Sequence, residues 1–277
     1  MMKLFIWGES GFIGQLLKKH FKIKHLDVKL IGRGDNCHHV INIAHNTEIP
    51  GSIDSNSIIF FLSAISSPDI CSNDSSNSKN FNLINTSIVI EKLLQTGAAV
   101  IFFSSDMIYG STKKICDEST LPEPNTNYAL WKYSIERKFS MYDNFTTLRL
   151  SYICDKSDKF TAFLINTKQN KTIKIFDPFY RSMIHSDDFL KVIDLYIEDT
   201  FNMPKILNVC GQRCISRVEY IKAFSDYINL NWEPVVMPND FKINRPESII
   251  MKSLHLKELI SYTWANPGDG ILQQLTK

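Results

Sequence analysis

Short apolar runs and amphipathic stretches alternate along the first half of the chain. Residues 4–7 form an apolar run that ends at Gly8, and Phe12, Ile13, Leu16, Leu17 and Phe21 then recur at helical spacing. Lys18, Lys19 and Lys22 fall mainly on the opposite face of that helix, where a charge run is solvated surface. Residues 28–31 predict a second strand, 40–43 a third and 58–62 a fourth. The stretch 66–79 is rich in Ser, Asn and Asp and reads as a loop. A helix over 83–94 and a buried strand over 98–103 follow. Parallel strands need long crossover connections, which the intervening helices supply, so the expected fold is α/β with a Rossmann-type doubly wound parallel sheet.

The order loosens further on. Residues 121–127, Leu-Pro-Glu-Pro-Asn-Thr-Asn, break regular structure and open onto a helix from about 128 to 141. Residues 146–150 and 206–209 read as strands, and the segments between and after them show no strong period. These irregular pieces predict a smaller lobe built from discontinuous parts of the chain.

Composition removes several functions from consideration. The 277 residues are 44% hydrophobic and 22% charged with a net charge of +2, so bulk electrostatics point to neither nucleic acid nor a membrane surface. The longest apolar runs are strand-length, and the N-terminal one is too short for a signal peptide, so the reading is cytoplasmic. Six cysteines lack paired zinc-site spacing and read as free thiols, and His38, His39 and His45 do not fall on one helix face as ligands. No metal is expected.

Gly8-Glu9-Ser10-Gly11-Phe12-Ile13-Gly14 lies where the first strand meets the first helix. Glycines there permit a tight turn and close approach of backbone to a pyrophosphate, while the helix N-terminus offers free N–H groups and positive dipole. Gly8, Gly11, Phe12, Ile13 and Gly14 are therefore candidate cofactor-binding residues, with the Glu9 charge required to point away from the phosphates. The second strand ends Gly32-Arg33. An acidic residue there favours NAD, whereas an arginine suits a 2′-phosphate, so Arg33 favours NADP(H) over NAD(H); Asp35, two residues on, is within reach of a ribose.

A second pair of segments carries chemistry. Ser104-Ser105-Asp106-Met107 follows the strand 98–103, and Tyr128-Ala-Leu-Trp-Lys132 opens a helix, with phenol and ammonium on one face at i, i+4. A phenol near pKa 10 needs a neighbouring cation to exchange a proton near neutrality, and Lys132 is placed to provide one. Ser105 is suited to hydrogen-bond the substrate oxygen. Ser105, Asp106, Tyr128 and Lys132 are the candidate catalytic residues.

With these motifs the chain resembles the extended short-chain dehydrogenase/reductase family, the nucleotide-sugar epimerases, dehydratases and reductases. Phe61-Leu62-Ser63-Ala64 matches the family strand end beside the cofactor, and Asn82 the helix asparagine of its next motif. Leu148-Arg149-Leu150-Ser151, Arg181-Ser-Met-Ile-His185-Ser-Asp187-Asp188, Leu207-Asn208-Val209-Cys210-Gly211 and Asn244-Arg245-Pro246 follow in family order, the first without its usual proline. The resemblance implies that Leu62, Ser63, Ala64 and Asn82 line the cofactor. It implies that Ser151, Arg181 and Arg245, with Ser105, Asp106 and Met107, meet a nucleotide-diphosphate sugar. It also implies a dinucleotide-binding domain over 1–151 plus about 182–210, a substrate lobe over about 152–181 and 211–277, and a homodimer through the helices near 82–96 and 128–141.

Met107 narrows the reaction. The resemblance places a glutamate there in 4,6-dehydratases and a cysteine in epimerase-reductases, and a thioether has neither a proton to give nor useful basicity. What remains is hydride transfer at a carbonyl or carbinol, and Ser105-Asp106-Met107 resembles the corresponding segment of 4-keto-6-deoxysugar reductases serving surface-polysaccharide synthesis. Two alternatives stand beside it: a nucleotide-sugar 4-epimerase retaining NAD tightly, and a catalytically silent NADP-binding relative.

Overall fold

In the computed structural model, which describes residues 2–111, 114–167 and 171–277, a parallel sheet of seven strands carries the first half of the chain. Its strands are β1 (Lys3–Trp7), β2 (Val28–Gly32), β3 (His39–Val40), β4 (Ser57–Phe61), β5 (Ala99–Ser105), Phe145–Leu150 and Ile206–Val209. The last two lie beyond β5 at one edge, and the order continues β5-β4-β1-β2-β3. The β1 register sets Lys3–Trp7 against Ser57–Phe61 on one side, and Leu4 to Trp7 against Val28 to Ile31 on the other. β1 and β4 are apolar on both faces, as strands covered by helices on each side must be. Helix α1 (Phe12–Ile23) follows β1 and buries Gly14, Leu17 and Phe21.

The chain divides into two compact units. Unit 1 comprises Met1–Ile108, Pro124–Arg149 and Ile193–Ile206; unit 2 comprises Tyr109–Glu123, Leu150–Val192 and Leu207–Lys277. Unit 1 is built on a core that includes Phe5, Trp7, Phe61, Val89, Leu93, Phe102, Ile135 and Phe139. Unit 2 holds a four-stranded sheet in the order Ile215–Ser216, Tyr180–Arg181, Ser248–Met251, Ile115–Cys116, over a core around Cys154, Met183, Tyr220, Phe224 and Ile271.

The largest departure from the sequence reading is at 66–79. Instead of a loop it forms helices Pro68–Asn73 and Ser75–Lys79, which run into a π-helix, Asn80–Asn85, and then the helix Thr86–Gln95. The polar residues that read as loop serve as helix ends, with Ser67 Oγ accepting from Ile70 N at 3.4 Å and Pro68 at the first helical position. The third strand is also shorter than expected, since only His39 and Val40 pair with β2. Thr126 caps the helix Asn127–Phe139 by accepting from Ala129 N at 3.3 Å. All six cysteines are free, and no helix among the described residues is long and apolar enough to cross a membrane.

Candidate active site

The turn between β1 and α1 is shaped by absent side chains. Gly8 has φ +103°, and a Cβ there would lie 2.8 Å from Ser63 N, so the turn backs directly onto the segment after β4. A Cβ on Gly14 would fall 2.5 Å from the Gly8 carbonyl oxygen, which is why α1 packs so close to the turn. Gly11 is different: its Cβ would meet only the Gly8 carbonyl oxygen, at 3.6 Å. Protein packing does not demand glycine at that point, and a glycine there leaves room for a pyrophosphate to approach the backbone. Gly11 is also the N-cap of α1 and provides no side-chain cap, so the first helical N–H groups have no such partner. Phe12 and Ile13, half-buried, form the first positions of the helix. These residues fit a pyrophosphate.

Around the turn, Leu62, Ser63 and Ala64 are half-buried, and Leu62 N donates to the Trp7 carbonyl at 2.8 Å. Buried Asn82 holds the next residue from both sides, with Oδ1 accepting from Ile65 N at 2.8 Å and Nδ2 donating to Ile65 O at 2.9 Å. Asn82 sits in the π-helix, a distortion that often marks functional positions. Arg33 is exposed at the end of β2, while Glu9 is buried at 7% exposure.

β5 delivers the second cluster. At its end Ser105 Oγ lies 3.3 Å from Asp106 Oδ1 and accepts from Met107 N at 3.2 Å, inside the 3₁₀ turn Asp106–Tyr109. Tyr128 and Lys132 lie one helical turn apart and both are buried. The Lys132 ammonium donates to the Phe103 carbonyl at 2.7 Å and stands 5.8 Å from the Tyr128 ring centre. Burial pushes the Tyr128 phenol well above its ordinary value, with Cys71 and Asp106 adding to the rise, so the phenol keeps its proton in this state. Burial lowers Lys132 from 10.5 to about 8, against the opposing pull of Glu136 and Cys71. One turn further along the helix, buried Glu136 accepts from Arg149 Nε at 3.1 Å and Nη2 at 2.8 Å.

Cys71 was not expected here. Its side chain packs with Tyr128 and Trp131, flanked by Ile65, Leu83 and Met107, and burial raises its thiol. No local signal marks it, because it belongs to the polar stretch that becomes helical only in the folded chain. Met107 packs against the cluster of Cys71, Tyr128 and Trp131.

Within unit 2, Ser151 is buried, with its N–H donating to the Val209 carbonyl at 3.0 Å. Arg181 is 7% exposed, donates to the Pro246 carbonyl at 2.6 Å and lies 4.2 Å over the Phe179 ring. Arg245 stands 5.4 Å over the Phe241 ring, and the Asn244 side chain of the same motif lies outside the described residues. Sequence reasoning missed Arg217, which stacks 4.0 Å over Phe179 and 4.6 Å over Phe160. Burial lowers it to about 10, Tyr152 opposes, and the charges of Arg181 and Arg245 lower it further. Three guanidinium groups thus share one electrostatic neighbourhood. In sequence Arg217 follows the capping Ser216 and reads as an ordinary first-turn residue. No group of three or more His, Cys, Asp or Glu residues placed to hold a metal ion occurs among the described residues.

The model of the NAD dependent epimerase/dehydratase family matches residues 4–210. Among solved structures, a dTDP-4-dehydrorhamnose reductase from Bacillus anthracis in complex with NADP is 18% identical, with TM-score 0.81 over 100% of this chain and 98% of that one. A UDP-N-acetylglucosamine 4-epimerase from Methanobrevibacter ruminantium in complex with UDP-N-acetylmuramic acid is 15% identical, with TM-score 0.82 over 99% and 96%. A Thermus thermophilus UDP-glucose 4-epimerase in complex with NAD is 15% identical, with TM-score 0.78 over 99% of both chains. At these identities the likeness establishes a shared fold. No curated protein matches the sequence. The Rossmann-type sheet and the family match together make this an NAD(P)-dependent enzyme. The chain belongs to the NAD dependent epimerase/dehydratase family.

Proposed function

We propose that this enzyme reduces the carbonyl of a nucleotide-linked 4-keto-6-deoxysugar. The observation that carries the reading is the composition of the turn after β5. Ser105 and Asp106 are followed by Met107, which packs against the cluster of Cys71, Tyr128 and Trp131. A group at that position with no proton and negligible basicity leaves elimination and C3/C5 epimerisation without a local base.

A bound reduced nicotinamide supplies the hydride. The protein's part is to orient the carbonyl and move one proton. The Ser105 hydroxyl donates a hydrogen bond to the carbonyl oxygen, and the Tyr128 hydroxyl gives that oxygen its proton, leaving an alcohol. Lys132, charged in the state described, favours the phenolate that remains and permits its reprotonation from solvent. Unit 1 holds the dinucleotide through Gly8, Gly11, Gly14 and the segment fixed by Asn82. In unit 2, Arg181, Arg217 and Arg245 supply the positive field suited to a diphosphate. The same reading includes a homodimer through helices Thr86–Gln95 and Asn127–Phe139, whose Ile88 and Leu130 are exposed, and a place in the supply of deoxysugars for surface polysaccharide.

The test is turnover of a panel of nucleotide 4-keto-6-deoxysugars in D₂O with reduced cofactor. Consumption of cofactor, with hydride at C4 and no enzyme-dependent deuterium at C3, C5 or C6, supports the reductase. Label at C3, C5 or C6 overturns the inference from Met107 and makes Asp106 the base to mutate. Interconversion of sugars without net consumption of cofactor establishes the 4-epimerase instead.

A further inference from the structure

The helix Asn127–Phe139 repeats the spacing of its Tyr-Lys pair once more. Tyr128, Lys132 and Glu136 stand at i, i+4 and i+8, so phenol, ammonium and carboxylate share one face of the helix, and all three side chains are buried. Behind Glu136 lies Arg149 of the strand Phe145–Leu150, which donates to Oε2 from Nε at 3.1 Å and from Nη2 at 2.8 Å. Glu136 and Arg149 are 4% and 3% exposed, and Glu136 Oε1 has no hydrogen bond.

Stability does not account for this pair. Burying two opposite charges costs about as much in desolvation as their attraction returns, and apolar residues of the same volume commonly do as well or better. What the pair provides is a charge of fixed sign in a place without water. Burial pushes the Glu136 carboxyl upward, and Arg149 opposes that by its charge and its hydrogen bonds, with the Ser104 hydroxyl adding to the effect. A carboxylate held ionised there faces Lys132, a single helical turn away. We infer that Glu136, held by Arg149, is a positioning residue for Lys132: its carboxylate keeps the ammonium charged and in place beside Tyr128.

The other groups around Lys132 do not supply this. β5 presents the Phe103 carbonyl, which accepts from the ammonium at 2.7 Å, and the Phe102 ring, 4.5 Å away; both are neutral. The helix Pro68–Asn73 presents the Cys71 thiol, which burial raises, so it carries no charge near neutrality. The Tyr128 phenol, with Asp106 acting on it, keeps its proton. Burial takes Lys132 from 10.5 to about 8, and Glu136 is the largest influence against that fall. Without the carboxylate the ammonium loses its proton at lower pH, and the phenolate left by proton transfer loses its counter-charge.

The inference rests on the Tyr128–Lys132 site proposed above, and the experiment separates the two. The full chain, isotope-labelled at lysine Cε, is titrated by NMR without cofactor or sugar, with Lys132→Met assigning the resonance that disappears. In wild type the Lys132 resonance is expected to titrate near pH 8. In Glu136→Gln the midpoint should fall by at least about one pH unit, whereas Glu136→Asp, which keeps the charge, should hold it within about half a unit. Glu136→Gln leaves Arg149 buried without this partner, so the double variant Glu136→Gln/Arg149→Met removes both charges, and the midpoint should fall there as well. A midpoint that stays near pH 8 in either folded variant, or failure of both to fold, makes the pair a structural element and overturns the inference. An equal fall in Glu136→Asp assigns the effect to packing and overturns it too. Turnover of 4-keto sugars with reduced cofactor gives the second readout: kcat needs the charged ammonium, so its alkaline limb should move down with the Lys132 midpoint. A lowered midpoint in a protein that reduces no 4-keto sugar leaves the role of Glu136 standing and overturns the reductase. Reduction with the limb unmoved in folded Glu136→Gln overturns the role of Glu136 alone.

Discussion

Replacing Lys132 with methionine separates the cost of a buried cation from its use. Lys132 is 5% exposed, and burial brings its ammonium from 10.5 to about 8. A pKa unit is worth about 1.4 kcal/mol, so well below pH 8 the charged side chain costs the folded state about 3 kcal/mol relative to the unfolded chain. Methionine has similar length and no charge. It also forfeits the hydrogen bond to the Phe103 carbonyl and the position 4.5 Å over the Phe102 ring, a loss of about 1.5–3 kcal/mol that nearly offsets the gain. The stability of Lys132→Met near neutrality should therefore lie within about 2 kcal/mol of wild type, while turnover falls at least about a hundredfold.

The pH dependence is sharper than the absolute value. Between pH 8 and 10.5 the unfolded chain binds a proton that the folded chain has lost, so this lysine makes wild type more stable as pH rises through that window. The variant has no such group. Paired urea titrations followed by circular dichroism should show the gap moving by about 2 kcal/mol in favour of wild type between about pH 7 and about pH 9.5. A gap constant to within about 0.5 kcal/mol would mean that Lys132 is not depressed in the folded state, and the argument from burial would fail.

Three further substitutions probe separate parts of the site. Tyr128→Phe should lower kcat about 10²–10⁴-fold while leaving dinucleotide affinity in place, and turnover within about threefold of wild type would mean the proton comes from another group. Asn82→Ala removes both hydrogen bonds to Ile65 and should cost about 1–3 kcal/mol of stability, seen as a lower melting temperature; an unchanged melt would show that the segment after β4 holds itself in place. Arg217→Ala should weaken a nucleoside diphosphate about tenfold by calorimetry without altering dinucleotide affinity, since one charge-assisted contact is lost from unit 2 alone. Unchanged diphosphate affinity would leave Arg217 as a packing residue on Phe179.

Much of the architecture is visible in short stretches of chain. β1, β2, β4 and β5 appear as apolar runs and α1 as a helical period, because burial on both faces of a strand and on one face of a helix writes a local pattern. The glycine turn and the Tyr128–Lys132 spacing are local for the same reason, since one turn of helix brings the phenol and ammonium together whatever surrounds them. The stretch 66–79 was not visible, because Ser, Asn and Asp are as suited to capping helices as to forming loops, and only packing decides between the two.

What tertiary structure decided is the environment of individual polar groups. Sequence places Glu9 in the turn and Arg33 at the strand end; the fold buries the first against Gly32 and leaves the second exposed. Cys71 reaches Tyr128, and Arg217 joins Arg181 on Phe179, through chain segments distant in sequence. Lys132 acquires its lowered pKa from the strand and helix that close over it. Desolvation and Coulomb interaction depend on what lies within a few ångströms in space, and periodicity along a chain carries no record of that.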